Sequence, residues 1–308
     1  MKILILGYSG LCKRKIIPIL KKKFRKMEFC ICSKSQEKEN IGASAWYRNY
    51  NDALKKSQAN LVYISLPNSL HYYWAMRALK NNYHVIIDKP ATLNFVQAKN
   101  LVRLAKQKKR LLSEAIVFNY HHQVNKSIKE INSLKNLIHV QARFVIPKLP
   151  RKNFRNYKKY GGGCLLDMGS YAAAVFRIFI SQDYKKVNFH SLSKENKRGL
   201  NTNFRIFILA NKKSFFGHFS HNGKYENTLT LFTKQKKVII NRVFSPPNDE
   251  NLILQVKNKH GKKEKKLKRD DAFLNYLKRI IILLKNKKFE NPYQNLLRDS
   301  FFREKLIK

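Results

Sequence analysis

The feature that most constrains this chain is an alternation, through its first 120 residues, of short apolar runs with amphipathic stretches of helical period. Lys2–Leu6, Glu28–Cys32, Leu61–Leu66, Tyr83–Ile87 and Arg110–Phe118 read as strands. Leu11–Phe24, Leu70–Asn82 and Asn94–Lys108 read as helices, the last with Phe95, Ala98, Leu101, Val102 and Ala105 on one side. Strands and helices recurring at this interval imply right-handed crossovers, hence an α/β domain built on a parallel sheet.

After about Tyr120 the pattern changes. His121–Leu134 reads as a linking helix, Leu137–Ile146 as a long strand and Cys164–Ile180 as a helix behind three glycines. From Val187 to Val256 strand-like runs, among them Phe204–Leu209, Ser214–Ser220 and Thr228–Phe232, are separated by Asn, Lys and Gly. Hairpin-linked strands of this kind fit a mostly antiparallel open sheet with helices on one face, an α+β domain. Ala272–Leu284 and Asn295–Lys308 read as terminal helices. The expected organisation is an α/β domain on a parallel sheet at 1–119 and an α+β domain on a mostly antiparallel sheet at 120–308.

The charge has two readings. Lys+Arg number 64 against 19 Asp+Glu, a formal net charge of +45. Such a balance suits a polyanion partner, but the lysines run from Lys2 to Lys308 and are not gathered on one arm, which favours compositional bias over nucleic-acid binding. A hydrophobic fraction of 44% excludes a disordered basic tail. No apolar run approaches the ~20 residues of a membrane span, and the opening Met1–Gly7 does not read as a signal peptide. Cys12, Cys30, Cys32 and Cys164 form no CxxC pair or disulfide framework, so the expectation is a reduced cytoplasmic protein without a metal.

Four segments carry chemistry. The turn Gly7-Tyr8-Ser9-Gly10-Leu11-Cys12 follows the first strand, and its small residues let backbone approach a pyrophosphate at a helix N-terminus, although a plain strand–turn–helix has the same pattern. After the second strand, Ser33-Lys34-Ser35 puts a cation where an acidic residue would bind the ribose of NAD. That favours a 2′-phosphate and hence NADP, with NAD as the alternative; a solvated turn is the bland reading. Leu66-Pro67-Asn68-Ser69-Leu70-His71 and Asp88-Lys89-Pro90 lie at the carboxyl ends of strands, where open α/β sheets bind ligands. Most lysines here serve solvation, and position alone lifts Lys89 above them; His71 could equally be a cap or packing residue. Finally, Gly161-Gly162-Gly163 opens a helix on which Asp167 and Tyr171, four apart, share a face with room left beside Gly169. They form a candidate proton-transfer pair or, equally, a surface phenol and a dipole-stabilising carboxylate. Arg155 just ahead could meet an anionic substrate group.

In this order, these segments resemble the Gfo/Idh/MocA family of NAD(P)-dependent oxidoreductases, over nearly the whole chain. Asp88-Lys89-Pro90 is similar to the family's Glu-Lys-Pro; Pro67–His71 with Ala78-Leu79-Lys80 and His84-Val85 matches the stretch before it. Gly161–Gly163 with Leu166–Tyr171, and Arg177 six further on, matches its signature helix. Tyr at 171 in place of His is similar to several branches, among them dimeric dihydrodiol dehydrogenases, glucose–fructose oxidoreductase-like enzymes and nucleotide-sugar 3-ketoreductases, and Leu11–Pro18 with its basic pair and Arg242-Val243-Phe244-Ser245-Pro246-Pro247 resemble the last of these. By this resemblance 1–119 would be a dinucleotide-binding Rossmann domain and 120–308 a substrate-binding and oligomerisation domain. Asp88 shortens a family Glu, and Cys12 replaces a small Ala or Gly.

The resemblance implies Lys89 and Tyr171 as catalytic residues, with Gly7, Ser9, Leu66, Pro67, Asn68, His71, Asp88 and Glu114 around the cofactor. Gly10, Leu11, Ser33, Lys34 and Ser35 complete the expected cofactor set, and Asp167 and Arg155 the substrate set. The implied activity is NADP(H)-dependent reduction of a sugar carbonyl, on a nucleotide-linked keto sugar for surface polysaccharide or glycan biosynthesis, by a homodimer or tetramer. The alternatives are a dehydrogenase of free sugars or cyclitols, a polyanion-binding protein on the same fold, and a silent family member; the last would lack Lys89 or Tyr171, and both are present. The two are 82 residues apart, so only domain packing brings them together.

Overall fold

A computed structural model describes residues 1–35, 38–181, 188–196, 199–210 and 212–307. The chain divides into two compact units, Met1–Ala115 with Tyr276–Leu297, and Ile116–Asn275 with Arg298–Lys308. This assigns 276–297 to the first unit, whereas the sequence pattern put all of 120–308 in the second. Val187 and Lys308, taken as element ends in the sequence, lie outside the described residues.

The first unit holds a six-stranded parallel sheet of β1 (Lys2–Leu6), β2 (Glu28–Cys32), β3 (Ala45–Tyr47), β4 (Leu61–Ile64), β5 (His84–Asp88) and β6 (Leu112–Ala115), in the order 3-2-1-4-5-6. This is the doubly wound Rossmann arrangement, with its order reversing beside β1. β4 and β6 are buried at every residue, as strands covered on both faces must be. The helices are α1 (Ile17–Lys23), α2 (Tyr50–Lys56), α3 (Asn68–Lys80) and α4 (Phe95–Gln107). Ahead of α1, Cys12–Ile16 takes a π-helical turn; Pro18, the second residue of α1, has no N–H for an α-type bond back into it. β3 and α2 escape a periodicity reading because a three-residue strand has no period. Asn49 starts α2, its side chain accepting from the N–H groups of Asn51 (2.8 Å) and Asp52 (3.3 Å).

The second unit is built on an eight-stranded sheet of β7 (Leu137–Val145), β8 (Asn188–Glu195), β9 (Asn201–Ala210), β10 (Lys213–Ser220), β11 (Glu226–Thr233), β12 (Lys236–Asn241), β13 (Ile253–Asn258) and β14 (Gly261–Lys266). Its order is 14-13-12-11-7-10-9-8, and only the β7–β10 pair is parallel. α5 (His122–Glu130) and α6 (Cys164–Val175) pack in the same unit. β9 alternates buried Phe204, Ile206 and Ile208 with exposed Arg205, Phe207 and Leu209, so one sheet face is core and the other open.

The helical stretch Lys158–Ile180 corrects one sequence expectation: it is long and apolar enough to cross a membrane by length and composition. Its most apolar window is 78% buried within the fold, which makes it the core helix of this unit. Hydropathy cannot distinguish lipid from protein interior. Of the terminal helices, α7 spans Ala272–Asn286 and α8 spans Glu290–Ile307. α8 starts five residues before the expected Asn295, because Pro292 falls in its first turn, where a missing N–H costs nothing.

Candidate active site

The turn after β1 is shaped by Gly7. Its φ is +97°, and a Cβ there would lie 2.2 Å from the Ser65 carbonyl oxygen, so only glycine fits. From this turn a directional hydrogen-bond chain descends. The Cys12 N–H donates to Ser9 Oγ (3.2 Å), Ser9 and Ser65 hydroxyls meet at 2.7 Å, and Ser65 donates to Asp88 Oδ2. Because Ser65 gives its proton to Asp88, Ser9 must donate to Ser65. Tyr63 donates to the other oxygen of Asp88 at 2.5 Å. Burial pushes the Asp88 carboxyl up, and the Ser65 and Tyr63 hydroxyls pull it back toward the charged form that accepts both bonds. The thiol of Cys12 is fully buried and pushed up to about 12, chiefly by burial, which leaves it a packing group.

Gly10 and Leu11 continue the turn, with Arg14 Nη1 2.9 Å from where a Gly10 Cβ would stand. Ser33 is buried and its N–H donates to the Tyr47 carbonyl (3.0 Å), whereas Lys34 and Ser35 are exposed. The Lys34 ammonium lies 5.2 Å from the centre of the Tyr50 ring. His71 is fully buried and clamps the segments after β4 and β5, with Nε2 2.7 Å from the Leu66 carbonyl and Nδ1 2.8 Å from that of Pro90. These contacts hold Leu66-Pro67 against Lys89-Pro90. Burial lowers its pKa, with both carbonyls acting in the opposite direction. Pro67 precedes α3, Asn68 opens it and is buried, and Glu114 on β6 accepts the Ala91 N–H at 3.2 Å. Lys89 is half-buried directly after β5.

In the second unit the glycines make a tight turn. Gly161 and Gly163 have positive φ, the Gly163 N–H donates to the Arg155 carbonyl at 2.9 Å, and a Cβ on Gly162 would lie 2.4 Å from that oxygen. The close approach is to the chain itself, and it presents Arg155 to Asp167: Nε to Oδ1 is 2.8 Å. His221 Nε2 meets Oδ2 at 3.0 Å, so both oxygens of Asp167 are held. Arg155, which the sequence offered to an anionic substrate group, is thus paired within the chain. His221, at the end of β10 and 54 residues from Asp167, carries no signal in the sequence.

Tyr171 is half-buried, its ring among Phe118, Phe144 and Phe244 at centroid distances of 6.0, 5.4 and 5.3 Å. The Arg242–Pro247 element therefore reaches Tyr171 through Phe244. The expected space beside Gly169 is filled: the aliphatic stem of buried Arg303 would lie 3.3 Å from a Cβ there, and its guanidinium donates to Ser170 at 3.0 Å. Arg177 is held by Asp299 in a two-pronged ion pair of 2.8 and 3.0 Å. Among the described residues, one His/Asp trio, His121, His122 and Asp270, has ligand-like spacing. Its groups also serve α5: Asp270 accepts the His122 N–H (2.7 Å) and pairs with His122 Nδ1 (2.9 Å), and His121 Nδ1 accepts the Gln123 N–H.

Residues 1–116 match the Gfo/Idh/MocA family, described as an oxidoreductase family with an NAD-binding Rossmann fold. A dTDP-3,4-didehydro-2,6-dideoxy-α-D-glucose 3-reductase of Saccharopolyspora spinosa is 25% identical over 270 residues, 84% of this chain and 80% of its own. The structure superposes on a 3-ketoreductase of Actinomadura kijaniata, solved with NADP and TDP-benzene, at a TM-score of 0.92 and 22% identity, over 100% of this chain and 97% of that one. An aldose-aldose oxidoreductase of Caulobacter crescentus superposes at 0.84 with 15% identity, over 100% and 96%. Residues 1–116, with their parallel 3-2-1-4-5-6 sheet and Gly7 turn, thus match the NAD-binding Rossmann fold of the Gfo/Idh/MocA oxidoreductase family, and the chain shares its fold with the solved 3-ketoreductase.

Proposed function

We propose that this protein is an NADP(H)-dependent reductase of a nucleotide-linked keto sugar. The observation that carries the cofactor reading is the turn at Gly7, a backbone cradle that any Cβ would fill, set beside the switch point of the sheet. Gly7, Ser9, Gly10 and Leu11 would hold the pyrophosphate, and Ser33, Lys34 and Ser35 the ribose phosphate. Leu66, Pro67, Asn68, His71, Asp88 and Glu114 would shape the walls. A reduced nicotinamide, when bound, supplies hydride.

Around the reacting carbon this chain's own groups manage the proton and the charge. Tyr171 donates to the carbonyl oxygen as the alcohol forms, its ring packed among three aromatic neighbours. Lys89 contributes a compact positive charge that favours the developing alkoxide. Asp167 is a positioning residue, held by Arg155 and His221.

The sugar class rests on the relatives that act on dTDP-linked 3-keto sugars, which cover most of this chain. A D-xylose 1-dehydrogenase of Haloferax volcanii, 25% identical over 57% of the chain, supports the free-sugar alternative. Leu192, Phe207 and Leu209, exposed by 75, 41 and 48% on one sheet, support self-association through the open face. The test follows NADPH absorbance with dTDP-linked 3-keto sugars and, in parallel, NADP reduction with xylose and glucose. Turnover of the first set only is expected; turnover of free sugars only would replace this reading with the alternative.

A further inference from the structure

The first unit has a second concave region, at the amino ends of the parallel strands and so at the opposite end of the sheet from the Gly7 turn. A cavity of about 690 Å³ lies where β5 begins at His84 and where Arg110 leads into β6. Its lining includes Lys106, Lys109, Arg110, Arg279, Lys287 and Lys288. Lys and Arg are 64 of the 308 residues, about one in five, but six of the thirteen residues lining this cavity. The only carboxylate among those lining residues, Glu290, is 3.0 Å from Lys106, which leaves five cations facing no lining carboxylate.

Helix C-termini attract cations, and α4 and α7 both end here. That accounts for lysines near these ends, but it does not account for Arg110 or Arg279. Arg110 Nε is shielded from solvent and meets no acceptor among the described residues. His84 Nδ1 accepts the Leu111 N–H at 2.9 Å, so its Nε2 carries the proton and is also a donor. Lys109 and Lys287 adopt φ of +53° and +52°, a left-handed backbone that asparagine or glycine takes at lower cost. The cavity thus collects donors and positive charge with almost no internal compensation.

We propose that this cavity is a second anion site, separate from the cofactor turn, that takes a small molecule bearing two or three linked phosphates. A concave pocket of this volume matches a compact ligand, whereas a nucleic-acid backbone is tracked by an extended stripe. The inference stands independently of the sugar-reductase reading, since none of its residues belongs to that machinery.

The test is calorimetric titration of the full-length protein with tripolyphosphate, and separately with ATP, in saturating NADPH at about 150 mM salt to screen diffuse attraction. One saturable site is expected. Lys109→Asn with Lys287→Asn, which keeps a left-handed backbone comfortable, should weaken binding by about tenfold or more. Lys263→Gln with Lys266→Gln removes the same charge on β14 and should change it by less than about twofold. Tighter binding of ATP would identify a nucleotide as the ligand, and equal binding an inorganic polyphosphate. Equal losses in both double variants would reduce the effect to bulk charge and overturn the site. So would binding of a DNA oligonucleotide in place of either probe.

Discussion

Replacing Gly7 by alanine isolates the steric argument for the dinucleotide turn. At φ +97° an added Cβ meets the Ser65 carbonyl oxygen at 2.2 Å and Leu66 Cδ2 at 2.8 Å, so backbone and core must both shift. Gly42 provides the internal reference: its φ is +76°, and nothing lies within 4 Å of a Cβ there. Gly42→Ala carries only the left-handed penalty less the entropy it removes from the unfolded chain, a net loss of about 1 kcal/mol. Gly7→Ala adds the overpacking term of about 1–3 kcal/mol, for a total of about 2–4 kcal/mol. Urea unfolding of the two variants, with NADPH titrated into each, reads both consequences. Stability should fall further in Gly7→Ala, and its NADPH affinity should drop while that of Gly42→Ala stays. If the two variants lost the same stability within about 0.5 kcal/mol, the clash would be relieved by local adjustment and the requirement for glycine refuted.

Tyr171→Phe keeps the ring packed among Phe118, Phe144 and Phe244, so folding and NADPH affinity should survive while single-turnover reduction slows by ~10²–10⁴-fold; full activity would make Tyr171 a packing residue. Lys89→Ala should lower kcat by ~10²-fold or more, and Lys89→Arg should rescue it poorly because a planar guanidinium does not replace a point charge. Lys34→Asp should weaken NADPH more than NADH in fluorescence titrations, and equal losses would remove the case for a 2′-phosphate site. His84 and His121 are both held down to about 4, mainly by burial, against ~6.5 when unfolded, so the unfolded chain takes up protons first as pH falls. Stability should therefore be lost from about pH 6.5 down to about 4 and level off below, by about 1–3 kcal/mol for each imidazole after allowing for the partial exposure of His84. A His121→Gln variant should show a shallower decline in its urea midpoint over that range, and an unchanged slope would contradict the assignment.

The parts of this protein legible in its sequence are those governed by near-neighbour periodicity. Apolar runs marked the buried strands β1, β2, β4 and β5, and a 3.6-residue repeat marked α4, because burial on two faces or on one stripe leaves its period in the chain. The glycine at position 7 and the order of the Lys89 and Tyr171 segments were equally readable, since turn chemistry and motif order are local. Where the period is short or broken, legibility ends: three residues of β3, and an α8 whose proline-bearing first turn looks like a loop.

What tertiary structure alone decided are the pairings made when distant segments return to one another. Asp167 is gripped by Arg155 and by His221, which is 54 residues away, and the guanidinium of Arg177 is closed by Asp299 at 122. Nothing in either partner's neighbourhood encodes such a pairing. The stem of Arg303 fills the room beside Gly169 that a helical projection leaves vacant. Residues 276–297 return to the parallel sheet's unit although they follow the antiparallel one in sequence. The helical stretch at 158–180 is apolar enough for lipid and is surrounded by protein instead. In each case sequence specifies what a segment can bury or bond, and the path of the chain specifies which partner arrives.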